Sequence, residues 1–377
     1  MEILIGTQAL EPRRYLVAVS EHLERLGHEV RVFSAEPRPS TDELRVVGVE
    51  RDLPLAPHLI YSQDAEAALL LADLYPLTPQ VFAAHSEERD LWLPPQLAGI
   101  VARVVAFDAR TAERVAAAGL PHEVTRLRRP VDVERFTTPR GELPERPRRV
   151  ELRLESLSSY LHGVIERACA DAGLQIGPDA DVVVGRGRDV LEAMASGLAV
   201  YVYGEEGGDG WVSAERYERL EADGFSGRAD PVATNFERVR RDLDAYDPAM
   251  GPVNRELARA HDARAHAQEL VAVFDAVKPR PEPVTAPLRE LARLVRLEAA
   301  SGRKAEAADA EARAARARVE ELERELAEMR ERNRELTERA VELENALESA
   351  QTEPEQQKAQ GVRGLLGRQG KHPSNEG

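Results

Sequence analysis

Two arginines stand where one predicted strand ends and a predicted helix begins, in the segment GRGRDVLEAMASGLAVYVYG (185–204). Arg186 and Arg188 flank Gly187 at this junction. Backbone amides at a helix N-terminus attract anions, and arginine adds bidentate, charge-assisted hydrogen bonds to phosphate. The pattern therefore predicts a phosphate site, the alternative being a solvated loop.

Glu192 lies on the short helix that follows these arginines. A carboxylate can accept hydrogen bonds from two adjacent hydroxyls, such as those of a ribose. Asp189 lies three residues earlier, and Asp-x-x-Glu is also a helix capping box in which the glutamate bonds a backbone amide. The sequence leaves both interpretations open.

A glycine-rich stretch follows the next predicted strand and precedes a helix. Gly207 and Gly208 would let the backbone approach a diphosphate. Glu205, Glu206 and Asp209 would repel a diphosphate unless they contact sugar hydroxyls. We expect no metal here, because the three acids share one loop that has no histidine.

His85 ends a predicted strand, where a histidine can be either structural or functional. The sequence has no Walker loop, no complete GxGxxG and no Cys/His metal spacing. We therefore expect neither a metal nor a bound cofactor.

Composition excludes several classes of protein. The 377 residues carry a formal net charge of -16, which argues against a nonspecific nucleic-acid binder. Cys169 is the single cysteine, so no intrachain disulfide can form and a reducing compartment, the cytoplasm, is expected. No apolar run approaches the roughly 20 residues of a membrane-spanning helix, and the first residues do not resemble a signal peptide. The first lysine is Lys278, so earlier cationic contacts must come from arginine, histidine or backbone groups.

Short apolar segments alternate with helical patterns along most of the chain. The predicted strands are MEILIG, EVRVFS, PHLIYSQD, PQVFAAH and ARVVAF, followed by RRVELRLES, DVVVG and LAVYVYG. Such alternation predicts parallel βαβ units in sheets covered on both faces. Ligands bind at the carboxyl ends of such strands, so two sheets in tandem would face a cleft.

Heptads replace this pattern after a proline-rich segment. The predicted coiled coil has one seam at Val319, Leu326, Asn333, Ala340 and Leu347, and the other at Leu322, Met329, Leu336, Leu343 and Ala350. Sustained heptads predict a coiled coil, and an asparagine in the seam favours a parallel dimer. A single charged helix is the alternative. The predicted organisation is a first domain at 1–140, a second at 141–278, a linker at 279–287, the coil at 288–351 and a disordered tail at 352–377.

Four segments resemble the GT-B glycosyltransferases, the large retaining family that uses sugar nucleotides. They are MEILIG…LERLGHEVRVFS, FAAHSEERDLW, LRRPVDVERF and GRGRDVLEAMASGLAVYVYG. The resemblance implies two Rossmann-like domains, the first for the acceptor and the second for the donor. It also implies that Glu192 binds the donor ribose, that His85 lies near the transferred sugar, and that the sugar hydroxyls lie near 207–209.

The sequence departs from the family pattern at several positions. Val184 stands where the family has a glutamate, eight residues before Glu192. Arg129 and Pro130 replace the usual Asn-Gly, and the lysine early in the donor domain is missing.

The resemblance implies hexosyl transfer from a nucleoside-diphosphate sugar to a saccharide or lipid-linked acceptor of the cell envelope or of a polysaccharide. The expected location is the cytoplasm, or the inner face of the membrane. The alternative is a catalytically inactive GT-B domain that serves as a binding or scaffold module tethered by its coiled coil.

Overall fold

A computed structural model describes most of the globular region and part of the C-terminal helix. The described residues are 1–8, 13–34, 44, 46–48, 50–119, 123–136, 142–154, 158–204, 207–230, 235–280, 288–289, 291–296, 316, 318, 321–322, 324–344 and 346. The chain divides into two units, Met1–Ser301 and Gly302–Gly377.

The first domain is a parallel sheet of seven strands in the order β3-β2-β1-β4-β5-β6-β7. The strands are β1 (Glu2–Thr7), β2 (Glu29–Ser34), β3 (Val46–Val47), β4 (Leu59–Ser62), β5 (Gln80–Ala84), β6 (Arg103–Ala106) and β7 (Glu123–Arg126). The helices between them are α1 (Arg13–Arg25), α2 (Ala65–Leu74) and α3 (Ala109–Ala117). Asp64 and Asp108 cap α2 and α3 by accepting from backbone amides of the first turn. Both caps lie just beyond strand ends, at the carboxyl edge of the sheet.

The second domain is a smaller sheet in the order β12-β11-β10-β8-β9. Its elements are β8 (Arg149–Arg153), α4 (Ser159–Asp171), β9 (Gln175–Ile176), β10 (Val182–Gly185), α5 (Arg188–Ala195), β11 (Ala199–Gly204) and β12 (Gly207–Trp211). All pairs are parallel except β11 with β12. The apolar residues of β10 and β11 are buried, as expected for central strands covered on both faces. The predicted fold class, two α/β sheets in tandem, is confirmed.

Four helices close the globular region: α6 (Tyr217–Ala222), α7 (Phe236–Asp244), α8 (Met250–Ala258) and α9 (Ala263–Asp275). The predicted boundaries put α9 in the second domain, but this helix packs on the first sheet. Its Ala267, Leu270 and Phe274 are buried in one cluster with Ile3 and Ile5. The apolar face of α9 therefore completes the core of the first domain.

The chain passes between the two domains twice, and the two crossings pair with each other. The Val131 amide donates to the carbonyl of His261 (2.8 Å), and the Ala263 amide donates to the carbonyl of Val131 (3.1 Å). These bonds fix the segment around Val131 beside the segment that begins α9.

The segment after the second domain differs from the prediction of a linker and an immediate coiled coil. Arg280 is buried and donates to the side-chain oxygen of Gln80 (2.8 Å). Leu288, Ala292 and Val295 are also buried, and Leu288 joins an apolar cluster of the first domain. Their spacing of four and three residues places them on one helix face. The beginning of the predicted coil is thus a helical segment that packs on the globular unit.

The second unit contains a helix at 324–344 whose described residues are all exposed. Leu326, Met329 and Leu336 of the heptad seam are 43%, 58% and 60% exposed. The remaining seam positions Val319, Leu347 and Ala350, and the predicted tail, lie outside the described residues. Coiled-coil pairing therefore stays a prediction. Within the described residues, no helix has the length and apolar character required to cross a bilayer.

Candidate active site

A cleft of about 230 Å³ lies between the two sheets of the globular unit. The first domain contributes residues that follow β5 and β6, and the second contributes the start of α5 and the segment 223–228. Its lining includes His85, Glu88, Trp92, Asp108, Arg129, Arg186, Gly187, Arg188, Asp189, Asp223, Gly224 and Arg228. Four guanidiniums and four carboxylates thus surround one cleft at the carboxyl ends of parallel strands, where ligands bind in such folds.

His85 follows β5 directly, in agreement with its predicted position at a strand end, and it lines this cleft. Its Nε2 lies 3.0 Å from the side-chain oxygen of Gln63, at the end of the neighbouring strand. Since an amide oxygen only accepts, Nε2 carries the proton. Burial, with Arg129 and Arg188 nearby, lowers the pKa of His85 well below its usual value. The ring is therefore a neutral hydrogen-bonding group near pH 7.

The junction of β10 and α5 brings Arg186, Gly187 and Arg188 to the cleft together. Gly187 is the N-cap residue, with a φ of 57° that glycine adopts readily. Its amide donates to the carbonyl of Phe225 (2.8 Å), which ties α5 to the 223–228 segment. The Arg188 side chain is 16% exposed and its Nη1 makes no hydrogen bond within the described residues.

Glu192 is buried beneath two arginines. Its Oε1 accepts from Nε of Arg188 (2.9 Å), and its Oε2 accepts from Nη1 of Arg14 (2.5 Å). Arg14 also donates to Asp189 (2.9 Å). The capping-box interpretation is wrong, because Gly187 occupies the cap and Glu192 binds guanidiniums rather than a backbone amide. Glu192 does not line the open cleft; Arg14, whose side chain is 57% exposed, covers it.

Further ion pairs cross the cleft near its rim. Arg228 of the second domain lies 3.3 Å from Glu87 and 3.4 Å from Glu88, and Arg186 lies 3.8 Å from Glu88. One ion pair has its arginine in the first domain instead: Arg110 of α3 pairs with Asp223 of the second domain at 3.1 Å. Carboxylates of one domain therefore neutralise arginines of the other on both sides of the cleft.

Gly207, Gly208 and Asp209 do not form the predicted loop. They belong to β12, which pairs antiparallel with β11, and none of them lines the cleft. Asp209 is fully buried and accepts from the Asp230 amide (2.7 Å). Glycine suits this strand because its register with β11 is irregular. The structure therefore does not bring these three residues to the cleft.

A different segment, which was not predicted from the sequence, takes the place expected for that loop. In D-G-F-S-G (223–227), Gly224 has a φ of 67° and Phe225 a φ of 57°. These consecutive left-handed residues turn the chain so that Asp223 and Ser226 face the cleft. Two glycines within five residues are a turn signal that was present in the sequence. Arg14 was also missed, and no local pattern marks it, whereas Arg129 belongs to LRRPVDVERF, one of the segments that resemble the family.

The described residues contain no group of three or more histidine, cysteine or acidic side chains able to hold a metal. The acidic cluster considered from the sequence includes Glu205 and Glu206, which lie outside the described residues.

The sequence matches no family model and no curated protein. Solved structures do match. HepE of Anabaena in complex with UDP is 12% identical over 73% of this chain and 100% of its own, with a TM-score of 0.50. The chain has a GT-B fold. Two further matches with that fold have lower TM-scores. AviGT4, a glycosyltransferase involved in avilamycin A biosynthesis, is 15% identical over 73% of this chain and 97% of its own, with a TM-score of 0.45. MurG of Acinetobacter baumannii is 12% identical over 72% and 98%, with a TM-score of 0.41.

Proposed function

We propose that this protein is a glycosyltransferase that moves a hexose from a nucleoside-diphosphate sugar to a saccharide or lipid-linked acceptor of the cell envelope or of a polysaccharide. The observation that carries this proposal is the convergence of Arg129, Arg186, Arg188 and Arg228 on one cleft between the two domains. HepE, which has the same fold, was crystallised with UDP, and this supports a nucleoside diphosphate as the ligand class.

In this proposal the diphosphate binds at the start of α5. Arg186 and Arg188 line the cleft there, and the first amides of the helix offer unpaired donors. The leaving diphosphate gains negative charge when its bond to the sugar breaks. Fixed cations and amides stabilise that charge without having to reorganise, which lowers the barrier.

The ribose of the donor binds Glu192 in this proposal. Arg14 now occupies one oxygen of that carboxylate (2.5 Å). The ribose hydroxyls must therefore replace the Arg14 guanidinium, while Arg188 can keep its bond to the other oxygen. Arg14 can leave at modest cost, because its exposed side chain exchanges the ion pair for water.

His85 contacts the transferred sugar or the acceptor in this proposal. The neutral ring cannot repel the nearby arginines, and it lies 6.1 Å from the ring of Trp92, measured between centroids. Together the two rings supply an apolar wall with a hydrogen-bonding group on the acceptor-domain side of the cleft.

Calorimetry with UDP, GDP, ADP and UDP-glucose tests the proposal. We expect at least one nucleoside diphosphate to bind the wild type, and Arg188→Gln to weaken that binding roughly tenfold or more. Arg241→Gln makes the same charge change on the exposed surface of α7 and should leave binding unchanged. Absence of binding by every nucleotide would reject the proposal.

One observation favours the alternative of an inactive binding module. Val184, which stands at a position where the family has a glutamate, is fully buried inside β10. No carboxylate is therefore available at that position. A UDP-release assay with UDP-glucose and a panel of saccharide acceptors separates the two functions, because a binding module binds the nucleotide but releases none.

A further inference from the structure

Arg129 lies on the first crossing between the domains, and its position is fixed from several sides. Its Nη2 donates to the backbone carbonyl of His85 (2.6 Å), and its guanidinium lies over the ring of Phe107, 5.4 Å from the centroid. Its own carbonyl lies 2.8 Å from Nδ1 of His261. The side chain is thus held against the wall of the cleft rather than extended into solvent.

The charge of Arg129 lacks a direct counterion among the described residues. Arg129 forms no ion pair with a described carboxylate, and its Nε makes no hydrogen bond within the described residues. Asp108 is the acidic side chain that acts on it most strongly from nearby. A partly desolvated guanidinium with an unused donor is costly unless something else binds it.

Arg188 faces the same cleft from the second domain, and it also has an unused donor in the described part of the chain, Nη1. Burial lowers the pKa of Arg129, and the positive charge of Arg188 lowers it further. Both groups stay protonated near pH 7, so two like charges face one cavity. An anion between the two guanidiniums would offset their repulsion.

We propose that Arg129 is a substrate-contacting residue that, with Arg188, forms a two-arginine site for a diphosphate, with one guanidinium from each domain. The inference rests on the proposed function, and it assigns part of diphosphate recognition to the first domain. Because the two arginines belong to different domains, a bound diphosphate also links the domains. The missing donor-domain lysine is thus replaced by a cation from the crossing segment.

Calorimetry with UDP and with inorganic pyrophosphate tests this site on the full chain. The variants are Arg129→Gln, Arg129→Lys and the control Arg128→Gln. Arg128 is the adjacent residue, is 44% exposed and does not line the cleft. We expect the Arg128→Gln control to bind UDP and pyrophosphate with the same affinities as the wild type. Arg129→Gln should bind both roughly tenfold or more weakly, and Arg129→Lys severalfold more weakly, because lysine lacks the planar donor fork.

Each outcome bears on either the inference or the proposed function. If UDP binds the wild type and Arg129→Gln equally, the inference is wrong and the proposed function stands. If pyrophosphate binding depends on Arg129 but UDP does not bind, the inference stands and the nucleotide donor is rejected. If neither probe binds the wild type, both are rejected. If Arg129→Gln does not fold, the Arg129→Lys variant provides the test. Wild-type pyrophosphate affinity in Arg129→Lys would contradict a contact between the guanidinium and the diphosphate.

Discussion

Arg14 of the first domain covers Glu192 of the second, with 2.5 Å between Nη1 and Oε2. The two residues are 178 positions apart in the chain. The Nη2 group of Arg188 in turn donates to the backbone carbonyl of Arg14 (3.0 Å). A carboxylate proposed to bind ribose is therefore already occupied by a guanidinium from the opposite domain, and ligand binding must compete with this ion pair.

Removing the competing cation should improve nucleotide binding. We expect Arg14→Gln to bind UDP about twofold to fivefold more tightly, because an exposed ion pair contributes about 0.2–1 kcal/mol. Arg25→Gln is a matched control: Arg25 lies on the same helix, is 54% exposed and also pairs with an acidic side chain, Glu21. Calorimetry measures the UDP affinities of the wild type, Arg14→Gln and Arg25→Gln. Weaker binding by Arg14→Gln would show that Arg14 contacts the ligand instead of competing with it.

Glu192→Gln should affect both stability and binding. The amide keeps the size of the side chain but loses the charge-assisted bond to the largely buried Arg188, worth about 1.5–3 kcal/mol, and the ion pair with the more exposed Arg14, worth about 0.2–1 kcal/mol. We expect a lower free energy of unfolding in urea and UDP affinity reduced roughly tenfold or more.

Glu221→Gln separates these two effects. Glu221 is equally buried and paired with Arg126, but it does not line the cleft. The Glu221→Gln variant should be less stable than the wild type but should bind UDP with the wild-type affinity. Wild-type UDP affinity in Glu192→Gln would remove Glu192 from the proposed ribose site.

Stability should fall in mildly acidic solution because of buried histidines. Burial lowers the pKa of His261 to about 4 and that of His266 to about 3, whereas unfolded histidine titrates near about 6.5. Below that value the unfolded chain binds more protons. The stabilisation that these two buried, neutral histidines provide is therefore complete above about pH 6.5. It declines towards pH 4, by up to about 1.4 kcal/mol per pH unit for each histidine.

Urea unfolding between pH 7.5 and pH 5 measures this decline. His266→Phe should flatten it, since phenylalanine cannot titrate and fits beside Tyr15 and Phe107, which already pack against His266. His162→Phe changes a half-buried histidine on α4, away from this cluster, and serves as the matched control. An unchanged slope in His266→Phe would mean that His266 titrates normally.

The C-terminal helix should pair with a second copy of the chain. Its seam residues Leu326 and Leu336 are exposed in the single chain, and Asn333 can pair with itself across a parallel dimer. We expect sedimentation to show a dimer for the wild type and a monomer for Leu326→Glu/Leu336→Glu, because paired glutamates at seam positions repel and are desolvated. Ala327→Glu, one residue outside the seam, should remain dimeric. A monomeric wild type would support a single charged helix.

Local sequence patterns were sufficient for the framework of the protein. Apolar runs such as LIYS and AVYVYG are buried strands because a central parallel strand is covered on both faces. The same logic placed His85, Arg186 and Arg188 beside strand ends at the carboxyl edges of their sheets, and the structure brings all three to one cleft.

Contacts between distant segments required the folded structure. The pairing of Arg14 with Glu192, the position of Arg129 and the packing of α9 on the first sheet join residues that no short-range periodicity relates. The glycines of 207–210 were misread because glycine permits both a ligand loop and an irregular strand. The pairing with β11 selects the strand.

The start of the predicted coil was misassigned for a similar reason. An apolar helical stripe specifies a face that must be covered, and only the three-dimensional arrangement shows that the first domain covers it.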